Sequence, residues 1–129
     1  MALENWARNW SSGAGATGED VAAQYHADAV RWDAAIDLTT KGAAGIAAVA
    51  QGFLSACPDA ICEIRNRIDA GDTVIIEWTW SGTHTGDVEG WPATGKRVVS
   101  TGCNVLELDG DLIRDERAYF DLEGLKLRG

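Results

Sequence analysis

The residues of this chain with usable chemistry are few, and most lie in its second half. His84, Asn104, Arg117, Tyr119 and Asp121 stand among strand-like segments, and Asp33 follows a short strand-like run in the first half. A carboxylate in an apolar hollow has its pKa raised, so it can take a proton from a carbon acid and return it. The enolate formed needs hydrogen-bond donors, and an amide, a phenol or an imidazole supplies them. Six tryptophans stand against two Phe and two Tyr. Tryptophan fills cores, but it also lines pockets for flat ligands. Each polar residue has a plainer reading as well. Asp121 precedes Leu122-Glu123-Gly124 as a helix cap would. Asp33 can cap a turn, Asn104 and Tyr119 can be ordinary structural residues, and His84 can hold the loop Gly86–Gly95.

These residues need elements to carry them. Leu3 to Trp10 reads as a short helix with Trp6 and Trp10 on one face. Thr17 or Gly18 opens a second helix that runs to about His26, with Glu19 and Asp20 at its positive end. Val30–Asp33 is a short strand. Thr39-Thr40 caps a third helix over Gly42–Ala56, which Pro58 ends. The second half is strand and turn: Ile61–Ile68, Thr73–His84, Arg97–Leu108 and Leu112–Asp121, with Leu122–Leu127 as a closing helical turn. Helices first and a meander later mean α+β. Twelve extended residues span about 40 Å, more than a domain of this size allows, so the strands must bend. Gly82 and Gly102 are the expected bend or bulge points. The expectation is one domain over residues 1–129, a cone-shaped, strongly bent antiparallel sheet. Its N-terminal helices pack on the concave face and enclose a cavity.

Alternation sorts the strands into faces. Val74, Ile76, Trp78, Trp80, Gly82 and His84 share the more apolar, inner face of the long strand. A two-residue turn at Asp109-Gly110 puts Asn104, Arg117, Tyr119 and Asp121 on one face of the last hairpin. It puts Val99, Val105, Glu116, Ala118 and Phe120 on the other. The apolar balance leaves open which of these faces is inner. Trp10 falls on the helix over the cavity mouth, and Trp32 turns away from Asp33.

Composition narrows the partners. The chain has 129 residues and a net charge of −9 without a basic cluster, which argues against nucleic acid and anionic membranes. No stretch approaches the roughly 18 apolar residues of a membrane span. The N-terminus lacks a signal-peptide pattern. Cys57, Cys62 and Cys103 read as free thiols of a cytoplasmic protein, although Cys57 and Cys62 are spaced closely enough to bridge. His26 and His84 form no metal-spaced pair, so no metal is expected.

Trp80-Ser81-Gly82-Thr83-His84-Thr85-Gly86, Gly90-Trp91-Pro92-Ala93-Thr94-Gly95-Lys96, Asp109-Gly110-Asp111-Leu112-Ile113 and Tyr119-Phe120-Asp121 together resemble the SnoaL-like polyketide cyclase family, within the nuclear-transport-factor-2-like superfamily. Tyr25–Val30 and Pro58-Asp59 fit as well, so the resemblance covers nearly the whole chain. It implies that Asp121 is the acid/base aspartate. Asp33 falls where ketosteroid isomerases keep their base, and Asn104 where they place a donor to the oxyanion. By that resemblance Asn104, Tyr119 and Asp121 face the cavity, and the protein is a homodimer packed through outward Ile75, Val99, Val105 and Phe120.

The leading expectation is a cofactor-free acid/base enzyme acting on a hydrophobic carbonyl compound, by polyketide-type cyclisation or isomerisation. Asp121, Asp33 and His84 are the catalytic candidates. Asn104, Tyr119, Trp78, Trp80, Trp10 and Arg117 are the substrate-binding ones. An epoxide hydrolase of the limonene-epoxide-hydrolase type is the alternative, since those enzymes share a similar Tyr-Phe-Asp ending. They keep an Arg and an Asp two residues apart on the long strand, where this chain has Trp78 and Trp80, so the Asp–Arg–Asp relay is missing there. Arg117 is the candidate substitute. A non-catalytic small-molecule binder or dimerisation module is the third reading.

Overall fold

The computed structural model describes residues 2–125. The order is α1 (Trp6–Asn9), α2 (Gly18–Ala22), β1 (Tyr25–Asp33), β2 (Leu38–Lys41), α3 (Ala43–Ala56), β3 (Ile61–Ala70), β4 (Thr73–Thr83), β5 (Arg97–Asp109), β6 (Leu112–Phe120) and α4 (Leu122–Leu125). The α+β class and the long strands are as expected. The last part of the closing turn, beyond Leu125, lies outside the described residues.

Local chemistry explains most boundaries. Asp20 accepts hydrogen bonds from the Thr17 amide (2.8 Å) and hydroxyl (3.1 Å), which starts α2. Helix α2 ends at Ala22, and β1 begins at Tyr25, earlier than Val30. Thr39 and Thr40 do not cap α3. They belong to β2, which pairs with β1, and Gly42 at φ 87° makes the turn into the helix. Helix α3 buries Ile46, Ala50 and Leu54, which join Val21, Ile76, Val98 and Leu106 in the core.

All six strands form one sheet in the order β2-β1-β6-β5-β4-β3. The sheet is mixed rather than wholly antiparallel, because β1 runs parallel to β6. It is open, with β2 and β3 at its edges. The chain therefore brings its first and last strands together at the centre, and Arg31 pairs with Glu116.

The alternation of β4 is as expected: Val74, Ile76, Trp80, Gly82 and His84 are buried and Glu77 is exposed. Register runs unbroken from Thr73↔Glu107 to Thr83↔Arg97, so neither Gly82 nor Gly102 is a bulge. Both are points of close approach. A Cβ on Gly102 would collide with the Trp78 ring and stand 2.5 Å from the Tyr119 carbonyl oxygen.

The last hairpin differs from expectation in register. Its closing pair is Asp109↔Leu112, so the turn residues are Gly110 and Asp111. A bulge between Glu107 and Leu108 then shifts the ladder by one, giving Leu106↔Glu116, Asn104↔Ala118 and Gly102↔Phe120. A shift of one residue reverses which side chains face the core. Glu116, Ala118 and Phe120 therefore turn inward with Asn104, while Arg117 and Tyr119 turn outward. Phe120 is thus removed from the outer face.

Gly102→Ala is expected to cost about 1–3 kcal/mol by overpacking, read as a lowered urea midpoint. Gly52→Ala, whose Cβ would meet only Val88 at 3.8 Å, is expected to stabilise by about 0.4–1 kcal/mol. Equal midpoints for the two variants would contradict the packing described for Gly102.

Candidate functional site

Alternation along β1 buries Tyr25, Ala29, Arg31 and Asp33. Arg31 and Asp33 are two residues apart and face the same way, so they meet. Arg31 Nη2 donates to Asp33 Oδ1 at 2.9 Å and Nε donates to Oδ2 at 3.1 Å, a two-pronged pairing. On the other side Arg31 Nη1 donates to Glu116 Oε1 at 3.3 Å. Arg31 is 5% exposed, and both carboxylates are fully buried. The pairing of two strands, β1 and β6, thus yields a buried acid–arginine–acid triplet.

The donors around Glu116 can be assigned by elimination. An indole nitrogen only donates, so Trp78 Nε1 gives its proton to Asn104 Oδ1 at 2.9 Å. That fixes the Asn104 amide, whose Nδ2 donates to Glu116 Oε2 at 2.6 Å. A guanidinium also only donates, so the Tyr25 hydroxyl accepts from Arg31 Nη1 at 3.3 Å and donates to Glu116 Oε1. Both oxygens of Glu116 are therefore acceptors. Burial, and then the Glu116 charge beside it, push the Tyr25 phenol well above its ordinary range, which keeps it a donor. Burial works against the Arg31 charge, but Glu116, Tyr25 and Asp33 outweigh it and raise its pKa.

This polar chain borders a small aromatic cavity. Arg31, Ser100 and Asn104 are its polar walls, and Trp6, Trp10, Phe53, Trp78, Trp80 and Phe120 are its aromatic ones. The N-terminal segment closes it. Trp80 Nε1 donates to the Trp10 carbonyl at 2.9 Å, and Arg67 Nη2 donates to the Ala2 carbonyl at 2.8 Å. The Trp10 ring lies over the Arg31 guanidinium, 4.9 Å from its centroid.

The structure brings together Asp33, Asn104, Trp78, Trp80 and Trp10 among the expected site residues. It places the others elsewhere. The Asp121 carboxylate accepts the Glu123 amide at 3.1 Å at the start of α4, and Asp121 is not among the cavity-lining residues. Its carbonyl accepts the Ser100 hydroxyl at 3.0 Å. His84 is fully buried under the loop that follows β4. Its amide donates to Lys96 (2.8 Å), its carbonyl accepts from Thr94 and Gly95, and its ring stacks on Trp91 at 4.2 Å. Tyr119 is 42% exposed and meets Trp32 edge-on. Arg117 lies on the outer face with Asp115 (3.0 Å) and Glu107 (3.3 Å). It does not fill the place of the missing relay arginine, and Arg31 is the buried one.

Sequence reasoning missed Arg31, Glu116 and Tyr25. The signal for Arg31 was present, since an Arg two residues before an inward Asp on a strand must also face inward. The signal for Glu116 was hidden by the hairpin register.

Arg31→Met leaves two buried carboxylates without their cation, and is expected to destabilise by about 3–5 kcal/mol. Replacing all three members (Asp33→Leu, Arg31→Met, Glu116→Leu) is expected to recover at least half of that loss in urea unfolding. A triple variant no more stable than Arg31→Met would contradict this account of the triplet.

The SnoaL-like polyketide cyclase family model matches residues 2–127. No curated protein matches the chain. Among solved structures, a candidate SnoaL-like polyketide cyclase from Jannaschia sp. CCS1 superposes with a TM-score of 0.81 at 19% identity, covering 97% of this chain and 88% of that one. A candidate polyketide cyclase from Acidithiobacillus ferrooxidans gives 0.76 at 25% identity, with 97% and 89% covered. A protein of ketosteroid-isomerase-like fold from Catenulispora acidiphila, in complex with trimethylamine, gives 0.79 at 21% identity, with 96% and 88% covered. These likenesses agree with the mixed sheet and its helices, and the family match spans almost every residue. The chain belongs to the SnoaL-like polyketide cyclase family.

Proposed function

We propose that the protein is a cofactor-free acid/base catalyst acting on a hydrophobic carbonyl compound, by cyclisation or isomerisation. The observation that carries this reading is the buried Asp33–Arg31–Glu116 triplet, joined through Asn104 to the polar end of an aromatic cavity. In it Glu116 takes the proton α to the carbonyl, and the electron pair passes to the carbonyl oxygen. Asn104 uses one amide hydrogen on Glu116, and its second donates to that oxygen. Arg31 balances the charge, and Asp33 fixes Arg31. The proton returns to a different carbon in an isomerisation, or to the new alkoxide oxygen after an aldol-type closure. The proton-accepting role thus moves from Asp121 to Glu116, with Asp33 positioning Arg31, because Asp121 caps α4 and Glu116 touches the cavity-lining Asn104 and Arg31.

A second reading has one specific observation in its favour. An acid–arginine–acid triplet is the relay whose absence on β4 counted against epoxide hydrolysis, and this chain carries one on β1 and β6. In that reaction one carboxylate activates water while the other protonates the epoxide oxygen.

The remaining proposals concern setting. Ile68 (48% exposed), Val99 (46% exposed) and Tyr119 flank Ile75 and Val105 on the outer sheet face, and we assign this face to a homodimer contact. Cys57, Cys62 and Cys103 are free, and burial, aided by Glu63, pushes the Cys62 thiol up to about 12. Unpaired thiols of this kind support a cytoplasmic location. No helix among the described residues is long and apolar enough to cross a membrane.

Glu116→Gln and Asp33→Asn are each expected to lower turnover of a β-keto ester panel by about 10²-fold or more, with circular dichroism unchanged. Asp121→Asn is expected to keep most of it. Full activity in Glu116→Gln would remove the assignment, and turnover confined to an epoxide panel would replace it with the second reading. Size-exclusion chromatography is expected to give twice the chain mass, and Val99→Glu to give the monomer.

A further inference from the structure

We propose that the apolar hollow between α3 and the loop 86–95 is a second subsite, holding the apolar body of the substrate whose carbonyl enters the inner cavity. The inference rests on the carbonyl reading above and locates the rest of that molecule. The inner cavity offers about 50 Å³. Sites for small-molecule ligands run to about 300–1,000 Å³. The inner cavity therefore accommodates a carbonyl head and not the body attached to it.

The hollow next to it measures about 400 Å³ and is lined mainly by apolar groups, among them Val49, Gly52, Val88 and Trp91. Phe53 and Phe120 line both spaces. Their rings meet edge-on at 6.2 Å, and Phe53 also meets Trp91 at 6.4 Å. Two half-buried phenylalanines thus stand between the two spaces and border both. Polarity runs one way along the combined space. Arg31, Ser100 and Asn104 stand at the inner end, while among the described residues Glu89 is the one charged group lining the hollow. A ligand with a carbonyl at one end and an apolar body at the other matches that gradient.

The walls of the hollow are held in place. Gly86 sits so close to the Ser55 carbonyl that a Cβ there would collide with it, and the Gly86 amide donates to Ala56 at 3.0 Å. His84 holds the far end of the loop through Thr94, Gly95 and Lys96, and Asp87 accepts the Ala93 amide at 2.7 Å. Gly52 keeps the floor open, since a Cβ there meets nothing nearer than Val88 at 3.8 Å.

The test is the dissociation constant of methyl 3-oxoalkanoates from 3-oxobutanoate to 3-oxodecanoate, measured by calorimetry on the intact chain. Affinity is expected to rise about threefold to fourfold per added methylene. Gly52→Leu and Val88→Trp, which fill the hollow from opposite sides, are expected to abolish that rise while leaving 3-oxobutanoate binding unchanged. Thermal melting checks that each variant folds. Affinity independent of chain length, or a rise that survives in both folded variants, would overturn the subsite. A length-dependent affinity without α-proton exchange on any ester would instead sink the acid/base reading and leave the subsite standing.

Discussion

One guanidinium held between two buried carboxylates constrains the rest of this molecule. Arg31 is 5% exposed, so its charge is met chiefly by fixed acceptors around it. Asp33 comes from its own strand and Glu116 from β6, 85 residues further along the chain. Their meeting requires β1 to lie parallel to β6 in a single register. That in turn requires the chain to leave through β2 and α3 and build β3, β4 and β5 before it returns. Asn104 and Trp78 extend the same hydrogen-bonded chain to β5 and β4. A slip in any of these ladders would leave a charged or polar group buried without a partner.

Stability does not account for such an arrangement. Removing two carboxylates and a guanidinium from water costs about as much as their attraction returns, and apolar residues of similar volume usually serve as well or better. The surrounding core is made of such residues: Ile76, Leu106 and Ile113 are all fully buried. What the triplet provides is ion-paired and hydrogen-bonded groups with fixed positions beside an aromatic cavity. Preorganised charge of this kind is what proton transfer to and from carbon uses.

Much of this was legible in the amino-acid order, and the parts that were not have definite causes. The alternation of β4 is strong because Trp78 and Trp80 sit between Ile76 and Gly82 with polar residues on the opposite face, so its inner side was clear. Helix α3 was clear from its alanines and its terminating Pro58. The β5–β6 hairpin was not, because its two faces carry similar numbers of apolar and charged residues. Its register then depended on the turn, and one extra residue at the bulge decides whether Glu116 faces in or out. Asn104 was identified through family resemblance and stayed inward because its partner changed, not its own face. The parallel partner of β1 left no local mark at all, since strand pairing at 85 residues' separation is set by global packing.

The placement of charge also explains the tryptophans. In this fold an inward Arg and carboxylate on the long strand would put the polar machinery at the centre of β4. Here β1 and β6 carry it, at the other half of the sheet. Strand β4 is then free to present Trp78 and Trp80 to the cavity, where Trp6 of α1 and Trp10 just after it join them. Trp78 still touches both worlds, packing on Gly102 with its ring and donating its one proton to Asn104. The result is a cavity polar on one side and aromatic on the other. In the proposed reaction the carbonyl head of the substrate points its oxygen toward this polar side, at Arg31 and Asn104.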